Sequence, residues 1–334
     1  MQKFLIIQTA FIGDVVLATS LVEKLHKHFP DAEIDFLLRK GNESLLAGHP
    51  FLHEVLIWDK KEHKLRNLWK MLRLVRKRKY DKVINVQRFA ATGFLTAFSG
   101  AKEKIGFYKN PFSFLFTKKV KHIIGNENIV RHEIERNTEL VKDFTGDTIV
   151  KPRLYPSPGD EAAVKIYQTA AYITVSPGSV WFTKQYPKEK WIEFLNKVPP
   201  SYSVYLIGSG GDAQLAEQIK NRSTHEWIIN LCGKLSFLKS AALMKDAAMN
   251  YVNDSAPMHF ASAMNAPVTA VYCSTLPSFG FGPLSDKSFI IETEEKLSCR
   301  PCGLHGKKAC PLGHFNCAHT IKDGQLLGSL PLNQ

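Results

Sequence analysis

"KFLIIQTAFIGDVVLATSLVEKL", residues 3–25, joins an apolar β-type run to an amphipathic helical pattern through a turn of a few residues. Strand, short turn and helix make the opening unit of a parallel α/β sheet. Asp14 follows Gly13 at the mouth of the helix. A carboxylate there has two readings. It can satisfy backbone N–H groups and the positive end of the helix dipole. It can also serve a ligand, because open α/β sheets bind at the carboxyl ends of their strands. Gly13 is expected to let the backbone turn tightly at this point.

The alternation continues outward. "IDFLLR" (34–39), "VLIWD" (55–59) and "KVINVQ" (82–87) read as further strands, with helices at 15–29 and 62–79. "TGDTIVKPRLYPSPGDE" (145–161) is rich in Pro and Gly, lacks periodicity and reads as a linker. Beyond it, strands at 172–178, 203–210, 228–233, 250–254 and 268–273 alternate with helices at 188–197, 212–220, 237–246 and 258–264. A chain of 334 residues is long enough for two cores. The expectation is α/β: two doubly wound, Rossmann-like domains, 1–155 and 156–334, facing each other across a cleft.

A hydrophobic fraction of 44% with 22% charged residues is ordinary for a globular protein. No apolar run approaches the roughly 20 residues that span a bilayer. The first residues lack a signal-peptide cleavage pattern, so a cytoplasmic location is expected. The net charge of +13 is concentrated in the first half, above all in "KLRNLWKMLRLVRKRKYDK" (64–82). Leu65, Leu68, Trp69, Leu72 and Val75 recur there at helical spacing, which gives an amphipathic helix with a cationic outer face. That face is either solvated surface or a contact for anionic lipid, a phosphorylated substrate or nucleic acid. Nucleic acid is the weakest of these, since no reader motif or interleaved exposed aromatics accompany the charge.

Three strand ends in the second half carry turn residues suited to a phosphate or nucleotide. "SPGSVWFTKQYPKEKW" (176–191) places Thr183 and Lys184 between a strand and a helix, and the lysine is able to neutralise a diphosphate. "LIGSGGD" (206–212), with Ser209, fits a tight turn against a ligand or a plain βα loop. It matches neither a dinucleotide fingerprint nor a P-loop. "VNDSAPMHFASAMNAPVTAVY" (252–272) ends a strand in Asp254-Ser255 and opens a helix at Ala256-Pro257, whose free N–H groups suit a phosphate. Met258 and His259 follow on the first turn. Read alone, Asp-Ser before a helix is a cap and the histidine a core residue. The same strand-end position, repeated on three strands, favours a ligand.

These segments, with "IGDVVLATSLVEKL", resemble the ADP-heptose–lipopolysaccharide heptosyltransferases, glycosyltransferase family 9, of the heptosyltransferase II type. The likeness follows the family order over essentially the whole chain. It implies the GT-B fold, with the acceptor held by the first domain and the nucleotide sugar by the second. It also implies inverting, metal-independent transfer of a heptose or related sugar from an ADP-sugar to a lipopolysaccharide inner-core acceptor, with no cofactor needed for catalysis. Carried over by position, the general base falls on Asp14, and the diphosphate lysine on Lys184 beside Thr183. The family's Asp-Ser-Gly turn falls on Asp254-Ser255-Ala256, followed by Met258 and His259, and Ser209 joins the donor side. Ala256 departs from the family's glycine. An amphiphilic acceptor implies a protein peripheral to the inner membrane, with Arg73, Arg76 and Arg78 meeting an anionic surface. Two other classes stay open: a nucleic-acid-binding protein and a GT-B-type nucleotide-sugar epimerase.

Cys299, Cys302, Cys310 and Cys317 are separated by two, seven and six residues, with His305 and His314 nearby. This spacing suits a tetrahedral structural zinc or, equally, reduced thiols packed in a compact loop.

Overall fold

A computed structural model describes residues 1–125 and 130–331. The chain divides into two compact units, Met1–Tyr155 and Pro156–Gln334. The first contains β1 (Lys3–Ile7), α1 (Ile12–His28), β2 (Glu33–Arg39), β3 (Glu54–Trp58), α2 (Lys64–Arg78), β4 (Lys82–Asn85), α3 (Ala90–Ala97), β5 (Glu103–Phe107), β6 (Lys118–Val120) and α4 (Glu133–Thr145). The second continues with α5 (Pro158–Val164), β7 (Tyr172–Ser176), α6 (Lys188–Leu195), β8 (Ser203–Leu206), α7 (Ala213–Arg222), β9 (Ile228–Asn230), α8 (Phe237–Lys245) and β10 (Met249–Asn253). It closes with α9 (Ala256–Ala263), β11 (Val268–Tyr272), β12 (Ser288–Glu292), α10 (Asn316–His319) and α11 (Asp323–Leu327).

The strand order is β3-β2-β1-β4-β5-β6 in the first sheet and β12-β11-β10-β7-β8-β9 in the second. The pairings are parallel, as between β1 and β4, where Ile7 lies opposite Asn85, and between β7 and β10, where Ser176 lies opposite Val252. Counted from its own first strand, each sheet has the order 3-2-1-4-5-6 of the doubly wound fold. The expected α/β class and architecture hold for both units.

Burial on two faces explains why these strands read as unbroken apolar runs. Phe4, Leu5, Ile6 and Ile7 are fully buried, as are Val15, Val16, Leu17, Leu21, Val22 and Leu25 along α1. Winding reverses between β1 and β4, and again between β7 and β10. Connections leave these neighbouring strands toward opposite faces, which opens a crevice past their carboxyl ends. Polar residues that follow those four strands are therefore the ones placed for chemistry.

Helix α1 begins at Ile12, earlier than its periodicity indicates, so Gly13 and Asp14 both lie inside its first turn. The chain bends before them, between Gln8 and Phe11, and Gly13 is buried in helical backbone rather than forming the turn. The expectation of a tight turn at Gly13 is corrected accordingly.

Candidate active site

In the first unit, the polar residues beyond β1, β3 and β4 converge. Thr9 Oγ1 donates to Gln87 Oε1 at 2.5 Å, and the Gln87 N–H donates to Asn85 Oδ1 at 2.9 Å. Asn110 Nδ2 donates to the Gln87 carbonyl at 3.1 Å. Lys60 directs its ammonium to the Thr9 carbonyl at 3.3 Å and to the Thr9 hydroxyl, with Nζ 4.8 Å from the Trp58 ring centre. Burial, helped by the Arg39 charge, lowers the Lys60 pKa to about 8. Trp58, Lys60, Lys64, Leu65, Leu68 and Ala91 line one pocket there.

Asp14 stands half-buried at the third position of α1. The N-cap residue is Phe11, whose side chain makes no capping bond. A carboxylate in this turn lies where the helix dipole stabilises negative charge. The same carboxylate lies past the carboxyl end of β1, where open α/β sheets place their ligands.

In the second unit, Asn253 closes β10 and reaches over to β7. Its Nδ2 donates to the carbonyls of Ser176, Pro177 and Gly178 at 3.3, 2.8 and 3.3 Å, and its Oδ1 accepts the Tyr186 N–H at 2.9 Å. The loop pinned in this way carries Thr183 and Lys184. Lys184 Nζ lies 2.7 Å from Asp254 Oδ2, and Thr275 Oγ1 donates to the same oxygen at 2.6 Å. Thr183 is buried, and its Oγ1 accepts from the Ser274 hydroxyl at 2.9 Å and the Lys307 N–H at 2.8 Å. Ser255 and Ala256 are half-buried at the start of α9, and His259 is buried one turn along. Thr183, Lys184, Asp254, Ser255 and Ala256 thus share one crevice end.

Three expectations change. Met258 is fully buried beneath Tyr272, whose hydroxyl meets its sulfur at 3.3 Å, so it is a core residue. The α9 terminus offers fewer donors than expected, because Pro257 has no N–H and the Met258 N–H is bound to the Ser255 carbonyl at 3.1 Å. Ser209 is exposed and uses its N–H and hydroxyl on Asp212 Oδ2, at 2.8 and 2.7 Å. Gly178 and Gly208 make room for that carboxylate: a Cβ on Gly178 would lie 2.1 Å from Asp212 Oδ1.

The four clustered cysteines are free thiols, and among the described residues no three His, Cys, Asp or Glu side chains gather as a metal-binding group. A zinc–thiolate site needs sulfurs about 2.3 Å from one ion. Cys317 lies in the core of the second unit, where burial first, and then the neighbouring Cys302, Cys299 and Cys310, push its thiol up to about 12. The segment serves as a wall. Arg300 donates to the carbonyls of Cys273 and Thr275 at 2.8 and 2.9 Å, and the Cys302 N–H donates to the Ser274 carbonyl at 2.9 Å. Gly306, at φ +76°, packs against the Lys184 stem.

The cationic helix is also less uniform than its sequence indicates. Arg78 is half-buried, paired with Glu54 and, at 3.3 Å, with Asp35. Arg76 donates to the Phe98 carbonyl at 3.1 Å. Among the described residues, no helix is long and apolar enough to cross a membrane.

The residues of the candidate site not foreseen from the sequence are Thr9, Lys60, Gln87, Asn253 and Thr275. All but Asn253 sit within three residues beyond a strand, and Asn253 is the last residue of one. The signal that could have found them is a polar residue ending an apolar run.

Comparison with known proteins bears on what this arrangement does. Residues 68–312 match Glycosyltransferase family 9 (heptosyltransferase). The chain is 26% identical to the lipooligosaccharide heptosyltransferase 2 of Haemophilus influenzae over 317 residues, covering 88% of this chain and 89% of that one. The structure of Escherichia coli ADP-heptose lipopolysaccharide heptosyltransferase II superposes with a TM-score of 0.80 at 22% identity, over 99% of this chain and 97% of that one. Escherichia coli heptosyltransferase WaaC, solved with ADP, gives 0.70 at 18% identity over 98% and 96%. Neither the nucleic-acid reading nor the epimerase reading finds support in these matches.

Proposed function

The chain belongs to glycosyltransferase family 9, and on that premise we propose that it moves a heptose from an ADP-sugar to an inner-core sugar of lipopolysaccharide. The observation that carries the reading is the pair of strand-end sites on two doubly wound sheets, one presenting a carboxylate and the other a cation.

Asp14 serves as the general base in this proposal. The acceptor hydroxyl oxygen bonds to the anomeric carbon as its proton passes to the carboxylate. The bond from that carbon to the diphosphate oxygen breaks, and its electron pair leaves with ADP. Attack opposite the leaving group inverts the centre. The departing diphosphate gathers charge, so it needs electrostatic stabilisation more than a proton. Lys184 supplies it beside Thr183, with Ser255, Ala256 and His259 close to the sugar and phosphates. The first unit holds the acceptor and the second the donor, and the ADP bound to a family structure of the same fold supports ADP as the nucleotide.

An acceptor carrying anionic sugars and lipid also gives Lys60 and Lys64 a role, as cations beside an apolar wall. It places the protein at an anionic membrane surface. The test is incubation of the purified chain with ADP-heptose and a heptose-deficient lipopolysaccharide, followed by mass analysis of the lipopolysaccharide. Addition of one heptose with release of ADP is the expected result. Consumption of ADP-heptose without any acceptor product would overturn the reading.

A further inference from the structure

The apolar stripe of α2 does not end where the sheet ends. Leu72 and Val75 are buried against the first core, while Leu65 and Trp69, toward the start of the same helix, are 74% and 53% exposed. From Trp69 a chain of ring contacts passes through the half-buried Phe94 and Phe112 to the exposed Phe114. Trp69 meets Phe94 at 5.5 Å between centroids, Phe94 meets Phe112 at 5.9 Å, and Phe112 stacks near Phe114 at 6.4 Å. Phe114 is 71% exposed, with Leu115 exposed beside it in sequence. Scattered apolar residues on a surface are unremarkable, but a contiguous aromatic patch marks a surface meant to be covered.

The surroundings identify the cover. Helix α2 contains no acidic residue, and Lys64, Arg66, Lys70 and Arg73 are exposed on it. A partner must offer apolar depth with anionic charge at its rim. A second copy of this chain would set one cationic rim against another. Tryptophan and phenylalanine flanked by lysine and arginine are the composition of a surface lying in a lipid headgroup layer. We propose that Leu65, Trp69, Phe114 and Leu115 insert into the interface of an anionic bilayer, with the α2 cations on its headgroups. The pocket lined by Trp58, Lys60 and Lys64 shares Leu65 with this face, so a membrane-embedded acceptor would reach it without leaving the lipid. The insertion stands on these observations alone, whereas that last step rests on the transferase reading.

The test uses the full chain and vesicles of phosphatidylglycerol with phosphatidylcholine, and it is read without turnover. Sedimentation should show binding that falls about tenfold or more in the Phe114→Ser, Leu115→Ser double variant, from the loss of two inserted apolar side chains. Brominated lipid chains should quench the wild-type tryptophan fluorescence, and Trp69→Phe should remove that quenching. Lys70→Glu with Arg73→Glu gives an independent route if the apolar variant does not fold, and it too should lower binding, most clearly at low salt. Equal binding by wild type and these variants, equal binding to uncharged vesicles, or a dimer dissolved by the Phe114 substitution would each overturn the proposal. Since no sugar transfer is measured, failure here leaves the transferase reading standing.

Discussion

The Lys184 ammonium and the Asp254 carboxylate form a 2.7 Å ion pair at the carboxyl end of β10, and Thr275 adds a second bond to the same carboxylate oxygen. The pair fixes a flexible side chain at the diphosphate seat proposed above. Its side chains are 16% and 8% exposed, so removing one partner strands a largely buried charge. Lys184→Ala should therefore destabilise the chain by about 3 kcal/mol. The double variant Lys184→Ala, Asp254→Ala should recover most of that stability without recovering affinity for ADP. Thermal unfolding and titration calorimetry on the three proteins separate the two effects.

Gly178 is required by Asp212 rather than by its own backbone. A Cβ there would meet the Asp212 carboxylate at 2.1 Å, and Ser209 holds that carboxylate through two hydrogen bonds. Gly178→Ala should cost about 1–3 kcal/mol through overpacking. Adding Asp212→Ala should return much of it, which a double-mutant cycle by urea denaturation would register as strong coupling.

The central strands of both sheets are legible in the sequence because burial on two faces writes an unbroken apolar run. The strands that escaped reading have physical reasons to do so. β5 begins with Glu103 and Lys104, of which Glu103 pairs with Lys82, and it contains Gly106, where the Phe116 ring leaves no room for a side chain. β6 is a three-residue edge strand, and β12 is an edge with Phe289 and Ile290 exposed. In the site, Asp14, Lys184 and Asp254 stand out as charged residues in the segments that follow strands. Asn253 and Thr275 do not, because their work is done through hydrogen bonds to residues distant in sequence. Met258 reads as part of a motif, but on α9 it faces the core.

Lys60 should make stability rise with pH. Burial lowers its pKa from the ordinary 10.5 to about 8. Below about pH 8 it is charged in both folded and unfolded chains, and the folded state carries the full penalty. Between about 8 and 10.5 the unfolded chain binds the extra proton, so stability increases with pH across that window. Solvent reaches part of this side chain and screens the penalty, so the gain is on the order of 1–2 kcal/mol. Lys60→Met should flatten that rise, and urea denaturation at pH 7 and pH 10 would measure it. A wild-type curve parallel to that of the variant would exclude the effect.

If the cysteine-rich segment is a wall for the Lys184 loop, geometry should matter there more than metal. A Cβ on Gly306 would lie 2.9 Å from Lys184 Cγ, at a positive φ that an L-residue resists. Gly306→Ala should lower both the melting temperature and the affinity for ADP. A chelator should change neither. A fall in melting temperature on chelation would decide for zinc at Cys299, Cys302, Cys310 and Cys317.

Asp14 has a structural role and a proposed chemical one, and asparagine separates them. At the third position of α1 its charge is favoured by the helix dipole. Asp14→Asn keeps the shape and the ability to accept a hydrogen bond, so the chain should still fold. The chemical role cannot survive the change. A sugar hydroxyl is too weak an acid to ionise at neutral pH, so its proton must leave as the new bond forms, and an amide does not take it. Positioned proton transfer is worth about 10²–10⁴ in rate. The variant should therefore fold, bind ADP as the wild type does, and transfer sugar at least a hundredfold more slowly. The comparison is made by kcat on the lipopolysaccharide acceptor, with ADP affinity and melting temperature measured on the same preparation. A folded Asp14→Asn chain with near wild-type kcat would leave the carboxylate as an ornament of the helix terminus, and the base would have to be sought elsewhere.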